Sequence, residues 1–339
     1  NFVDDVSWIK GNHTFQFGAN LRFIDNERSS LNGSLDSAVT NPSFYELSGA
    51  SVSNQIPNIS AGTVTTVQNA MTAMIGRYSQ YSGNYIYGVD GGLLAPGTFI
   101  DRNFATEEYE LYGQDTWKIT QNLTLTYGLR WSTSRSVYEK GGYQVKPTFP
   151  LGQYLDQRAA NAERGMPFNE LIEVDLSGPY WDRDGWYEQD WNNLSPRIAV
   201  AYSPSFEDGF LNTIFGDPGN SVLRFGFSKI YDRIGNAMAV NFDLSNPMGF
   251  SSSETIAANT YNVTDNVAPM FTGYDQNVRA LPGLDPVESI SFPLTVPADE
   301  AQRIETSLDD TLITPSSYSW NASWGRELPG GLYFEASYV

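Results

Sequence analysis

Four stretches of this 339-residue chain read as antiparallel hairpins, and the links between hairpins are far longer than the turns within them. In Asn122 to Trp131, the residues Leu123, Leu125, Tyr127, Leu129 and Trp131 fall on one face, while Thr124, Thr126, Gly128 and Arg130 fall on the other. This period-two alternation is that of a half-buried strand. The preceding run, Glu107 to Ile119, sets Tyr109, Leu111, Gly113 and Trp117 against Glu108, Glu110, Tyr112, Gln114 and Lys118, and the two runs make a hairpin. Val3 to Lys10 turns at Gly11-Asn12 into His13 to Ile24, where Phe15, Phe17, Ala19, Leu21 and Phe23 oppose Thr14, Gln16, Gly18, Asn20 and Arg22. Leu194 to Tyr202 is expected to pair with Val222 to Tyr231. Tyr318, Trp320, Ala322 and Trp324 lead through Pro329-Gly330-Gly331 to Leu332, Phe334, Ala336 and Tyr338. The hairpins thus lie at about 3–24, 107–135, 194–231 and 317–339, eight strands in all, and the links 27–101, 137–192 and 233–315 hold 75, 56 and 83 residues.

Loops of that size are rare in compact soluble domains. Short turns at one end of every hairpin and long loops at the other are the pattern of an antiparallel transmembrane β-barrel in an outer membrane. The fold expected is therefore all-β, a barrel segment of about eight strands with long extracellular loops. Rings gather near the strand ends: Trp8, Trp117 and Trp324 toward the short turns, Trp131 and Tyr231 toward the long loops. These are the candidates for the aromatic girdles at the two membrane interfaces. The opposite face offers Arg22, Gln114, Thr126, Arg130, Arg224 and Asn321 as candidates to line a wet lumen. Leu123 to Trp131 rises roughly 20 Å at a tilt of about 40°, close to the apolar band of such barrels, about 25 Å tall. Leu125 is expected to face the middle of that band. A soluble sandwich or propeller with the same alternation is the competing reading.

The charge follows the same partition. The chain has 20 Lys+Arg against 39 Asp+Glu, and 26 of the acids but only 10 of the bases lie in the three long links. Those links carry a net charge of -16 and everything else -3, as expected if the loops face outward and the strands face lipid. So acidic a chain lacks the basic surface that nucleic acid requires. With no cysteine and a single histidine, His13, thiolate metal sites, disulfides and multi-histidine centres are excluded. His13 lies beside a hairpin turn and reads as a turn-capping or interfacial residue. Aromatic residues make up 14% of a chain whose mean hydropathy is -0.35, which argues for a folded rather than a disordered acidic protein. Val64, Val67, Met71, Met74, Ile75 and Tyr78 follow helical spacing, so an amphipathic helix is expected at about 63–79, packing its loop against the barrel rim. Tyr78, Tyr81, Tyr85 and Tyr87 follow, either to stack on a ligand or to pack the loop. The chain begins at Asn1 with no visible leader and ends at Val339 inside an alternation, and is read as an internal segment of a longer protein.

Four runs resemble TonB-dependent receptors, most closely the subgroup that often carries an N-terminal carboxypeptidase-regulatory-like domain. They are Asp5 to Arg22, Tyr112 to Arg130, Asn193 to Ala199 continuing through Tyr202, and Ser319 to Tyr333. Met71 to Ser79 is similar to the family's loop helix. The resemblance implies an outer-membrane barrel of about 22 strands around a plug, importing a nutrient with energy relayed by the TonB complex. The partners implied are outer-membrane lipid, TonB through a plug domain that this chain lacks, and an unidentified small-molecule, sugar or peptide ligand. Neither a cofactor nor catalysis is expected. A self-contained eight-stranded barrel acting as an adhesin or structural protein, and a secreted β-protein acting on carbohydrate, are the alternatives.

One acidic run has metal-binding chemistry. Asp182, Asp184, Glu188 and Asp190 supply hard oxygen ligands for calcium, but their spacing is not that of an EF-hand, and a solvated acidic loop is the plainer reading. The same carboxylates lie on a loop with nothing to fix their separation, so they do not form a glycosidase pair.

Overall fold

A computed structural model describes residues 1–39, 52–74, 80–168, 170–206, 208–235, 237, 249–256, 277–280, 284–296 and 308–339. Among the described residues the first seven strands are β1 (Phe2–Lys10), β2 (His13–Ser30), β3 (Ser37–Val39), β4 (Gln80–Ile86), β5 (Ile100–Lys118), β6 (Leu123–Ser134) and β7 (Tyr138–Glu139). They are followed by β8 (Val145–Pro147), β9 (Ile172–Leu176), β10 (Asn193–Tyr202), β11 (Ser221–Tyr231), β12 (Ser251–Ile256), β13 (Leu294–Val296), β14 (Ser316–Leu328) and β15 (Leu332–Tyr338).

The eight long strands form one antiparallel sheet in the order β1-β2-β5-β6-β10-β11-β14-β15, with β7 added beside β5. All four expected hairpins are present, and each long link joins strands that are neighbours in the sheet. β1 and β15 each pair on one side only and do not pair with each other, so the sheet is open.

The register carries the alternation from β2 through β5, β6, β10 and β11 to β14. Phe17 faces Gly113, Gly113 faces Leu129, Leu129 faces Pro196, and Val200 faces Phe225, which faces Ala322, so the apolar residues share one side. That side stays uncovered: Leu129 and Phe225 are 49% and 46% exposed, and Phe17, Leu111, Ile198 and Trp320 are exposed as well. A soluble sandwich would lay a second sheet over this surface; an apolar face of this extent marks an interface with something else.

β2 and β5 are longer than the hydrophobic pattern indicates. Pairing runs from His13 with Trp117 to Ser30 with Ile100, so residues 27–30 and 100–101, read from the sequence as loop, are strand. In Asp25-Asn26-Glu27-Arg28-Ser29-Ser30 both faces are polar, so no period-two signal survives, yet backbone pairing needs none. Eighteen paired residues reach roughly 60 Å along the strand, well beyond an apolar band about 25 Å tall.

The buried core lies mostly in the long loops, together with the loop-side part of β5 that carries Phe104 and Ala105. β3, β4 and β12 form one small sheet from the first and third loops, and β8, β9 and β13 form another from the second and third. Phe104, Val137, Trp186 and Tyr187 make one buried cluster, joined by Ile234, Leu308 and Leu312. Val145, Tyr154, Ile172, Val174 and Phe250 make a second, flanked by Phe292 and Leu294. The three loops are thus a single interlocked cap rather than independent excursions. The helix expected at 63–79 occupies Ala61–Met74, and residues 75–79, Tyr78 among them, lie outside the described residues. A further helix, Leu151–Glu163, buries only Tyr154, and so leaves little periodic signal in the sequence.

Candidate functional site

The six polar candidates share one face of the sheet. Arg22 faces Glu108, Gln114 faces Gly128, Thr126 faces Ala199 and Arg130 faces Ser195, while Arg224 faces Ser323 and Asn321 faces Gly226. Near the cap, Glu108 is nearly buried and bridges two cations: Arg22 Nη1 lies 2.8 Å from Oε2, and Arg233 Nη2 and Nε lie 2.5 and 3.1 Å from Oε1. Arg233 belongs to the third loop, so this carboxylate ties the cap to the barrel wall. The small cleft beside it, lined by Glu108, Glu110, Glu188, Asp190 and Arg233, measures about 50 Å³, room for water rather than for a ligand.

Deeper on the same face lie two open hollows of about 380 and 410 Å³ that share Glu110, Arg130 and Arg197. Arg130 approaches Glu110 at 3.7 Å, and Arg224 approaches Glu335 at 3.8 Å. Arg197 was not among the sequence candidates, although the alternation of Asn193, Ser195, Arg197 and Ala199 places it on the polar face. Glycines let large polar side chains lie flat against this wall. The Tyr112 ring crosses Gly18 and donates its hydroxyl hydrogen bond to Asp5 at 2.7 Å, and Asn321 covers Gly226 in the same way. A Cβ at Gly18 collides with both Tyr112 and Asp5. Gly18→Val is therefore expected to lift Tyr112 off the wall and cost about 1–3 kcal/mol, read as a lower unfolding midpoint in detergent.

All five girdle candidates lie on the apolar face: Trp8 opposite Phe15, Trp117 opposite His13, Trp324 opposite Leu223, Trp131 opposite Leu111 and Tyr231 opposite Ser316. Leu125 pairs with Trp117, at the level of the short-turn rings, so it does not face the middle of the apolar band as the sequence suggested. Counting from Leu123 at the start of β6, Leu125 stands roughly 5 Å and Leu129 roughly 15 Å up the tilted strand. The middle of the band therefore falls near Tyr127 and Leu129.

A polar cluster interrupts this face. His13 stacks between Phe15 and Trp117, with ring centroids 5.5 and 5.2 Å away, and its Nδ1 lies 2.6 Å from Asp115 Oδ2. The Tyr127 hydroxyl donates to the same oxygen at 3.0 Å, while Oδ1 of Asp115 is buried without a partner among the described residues. His13 is thus an interfacial residue bound to an acid rather than a cap for its turn. Asp115 carries no signal of its own in the sequence, because one acid in a run of apolar positions looks like a break in the pattern; its partner 102 positions away supplies the reason. His13→Ala leaves that carboxylate with Tyr127 alone and is expected to cost about 1–3 kcal/mol, measurable as a drop in thermal stability that Asp115→Asn, made in the same background, partly reverses.

The four acids of the 182–190 run do not converge. Asp182 takes a left-handed backbone conformation, and Asp184 is almost fully exposed, 3.9 Å from Lys146. Asp190 accepts from the backbone N–H groups of Asn192 and Thr314, both at 3.2 Å, while Glu188 borders the small cleft. Among the described residues no three His, Asp or Glu side chains gather as a metal-holding group, so the run is a loop-fixing segment and the calcium expectation finds no support. Tyr85 and Tyr87 are buried in the cap, which makes them loop packing rather than a ligand platform.

An ion pair clasps the first loop to the third. Arg279 reaches Asp36 through Nε at 2.6 Å and Nη2 at 2.5 Å, and Asp36 also accepts from Tyr81 Oη at 2.7 Å and Asn84 N at 3.0 Å. Burial raises the Asp36 pKa, but the bonds from Arg279, Tyr81 and Asn84 outweigh it and hold the carboxyl below the usual carboxylate range. The same burial and the Asp36 charge push Tyr81 well above an ordinary phenol. Because the folded value of Asp36 is depressed, its contribution is complete above the unfolded value and vanishes as pH falls through the folded one. Limited proteolysis of the cap is expected to be unchanged from neutrality down to about pH 5, and to accelerate below the ordinary aspartate range near 3.9. In Asp36→Asn, cleavage is expected to be fast already at pH 7.

No described helix is long and apolar enough to cross a membrane. No curated protein and no solved structure matches the chain. A family model described as an outer membrane beta barrel domain matches residues 1–339, the same span that carries the open sheet, its uncovered apolar face and its one-sided loops. The chain accordingly belongs to the outer membrane β-barrel domain family, and its place is the bacterial outer membrane.

Proposed function

We propose that this chain is part of the wall and outer cap of a TonB-dependent receptor that binds a nutrient ligand and admits it, without catalysis. The observation that carries this reading is the pairing of β1 and β15 on one side only. Backbone N–H and C=O groups left open in lipid are strongly unfavourable, so a barrel containing these eight strands closes through further strands and encloses a wide lumen. That argues against a self-contained eight-stranded barrel, whose interior would be filled by side chains. The uncovered apolar face argues against a secreted soluble β-protein. In this reading the apolar face meets lipid between its aromatic girdles. Arg22, Gln114, Thr126, Arg130, Arg224 and Asn321 then face the lumen, and the interlocked acidic loops form the vestibule. The ligand is a small molecule, sugar or peptide, and energy reaches it from the TonB complex through a plug.

The test uses the whole protein in detergent with the purified periplasmic domain of TonB. The reading predicts saturable binding that strengthens when ligand occupies the barrel. Absence of any binding, together with uptake that persists after the proton-motive force is collapsed, would contradict it.

A further inference from the structure

The apolar face extends past the strand ends at one point. On the short-turn rim, β1 and β2 are joined by Gly11-Asn12, β5 and β6 by residues 119–122, and β14 and β15 by residues 329–331, whereas residues 203–220 link β10 to β11. That longer connection contains the helix Phe210–Phe215, in which four of six residues are apolar. Its placement is fixed by several bonds. Arg326 Nη1 donates to the carbonyls of Thr213 at 2.8 Å and Ile214 at 2.5 Å, Ser221 Oγ donates to Phe215 O at 2.5 Å, and Asn212 Nδ2 donates to Phe206 O at 2.7 Å. The Phe215 ring stands edge-on to Trp324 with centroids 6.0 Å apart, and Phe206 packs on Phe215 at 5.9 Å.

Trp324, Arg326 and Ser221 all belong to the apolar face, since Ser221 faces Arg326 and Leu223 faces Trp324. The helix is therefore laid against the outside of the sheet at girdle level, not across the lumen. With Phe206 and Phe215 turned inward, it presents Phe210, 77% exposed, and Leu211, 44% exposed, away from the protein. Asp208 and Asp217 flank it, exposed.

We propose that this connection is a membrane foot, an interfacial helix that seats Phe210 and Leu211 at the headgroup–acyl boundary of the leaflet on the short-turn side. The occupant is lipid rather than a protein partner, because the exposed pair continues a face already given over to lipid and sits beside the Trp324 ring of its girdle. Short helices of this kind hold by burying apolar side chains about 5–10 Å deep. The described part of this helix and its flanks carries no Lys or Arg, so attachment rests on apolar burial and not on attraction to anionic lipid. The proposal depends on the apolar face meeting lipid, as in the function proposed above, and the test separates the two.

Single cysteines at Phe210, Leu211, Asp217 and Leu129 in the whole protein, carried in nanodiscs of phosphatidylethanolamine and phosphatidylglycerol, are labelled with a nitroxide. Collision rates are measured with oxygen, which concentrates in lipid, and with a water-soluble nickel chelate. The foot predicts labels at 210 and 211 that favour oxygen severalfold over the label at 217, and a ratio unchanged when phosphatidylglycerol is left out. Labels at 210 and 211 as open to nickel as the one at 217, or closed to both reagents, overturn the foot. If the Leu129 label still reports lipid, the barrel reading stands without it; if the Leu129 label reports water, the barrel reading itself falls.

Discussion

Phe104→Ala is expected to cost the outer cap about 3–5 kcal/mol while leaving the barrel wall in place. Phe104 is fully buried, its ring centroid 6.4 Å from that of Trp186, and Val137 and Tyr187 complete the cluster that Ile234, Leu308 and Leu312 join from the third loop. Trp186 is held in turn by its indole N–H donating to Val145 O at 2.8 Å, which links this cluster to the β8–β9–β13 sheet. Truncation empties the point where the second and third loops meet on β5. The measurement is protease susceptibility of the loops set against heat resistance of the barrel on electrophoresis. Fast loop cleavage with an unchanged barrel is the expected outcome, and equal loss of both would mean that cap and wall unfold as one unit.

Leu129→Arg is expected to destabilise the protein by about 2–4 kcal/mol in a bilayer, and Leu125→Arg by about 0–1 kcal/mol, because the cost of a cation on the lipid face depends on depth. The two positions share a strand, a face and a residue type, and differ in level: Leu125 lies opposite Trp117, and Leu129 opposite Gly113 and Pro196 near mid-band. Thr126→Arg, on the polar face between them, serves as the control and is expected to change stability little. Denaturant titration of folding into vesicles reads all three. Equal costs at 125, 126 and 129 would rule out a lipid-facing assignment.

Much of this architecture can be read directly from the residues, because a sheet with one apolar and one polar face writes itself as period two. The positions of the eight long strands and the side on which each of the eleven lumen and girdle candidates lies follow from that alternation, and the turns between them give the four hairpins. Its failures have one physical origin. Where both faces are wet, as in Asp25 to Ser30, strand pairing persists through the backbone and the pattern goes silent. Where a polar group sits on the apolar face, as Asp115 does, the pattern shows an exception whose compensation by His13 is visible only in three dimensions. Depth is a further blind spot, since alternation assigns a face to Leu125 but no height above the turn. Within the loops, only contacts between distant segments such as Asp36 with Arg279 reveal that three acidic stretches form one cap.

The expectation on which the rest depends is that one side of this sheet faces lipid and the other faces water. It is tested most directly by placing single cysteines at every position from Leu123 to Trp131 in the membrane-embedded protein and measuring their reaction with a hydrophilic maleimide. Labelling at 124, 126, 128 and 130, with protection at 123, 125, 127, 129 and 131, is the result predicted. Uniform labelling along the strand, or the inverse alternation, would contradict it.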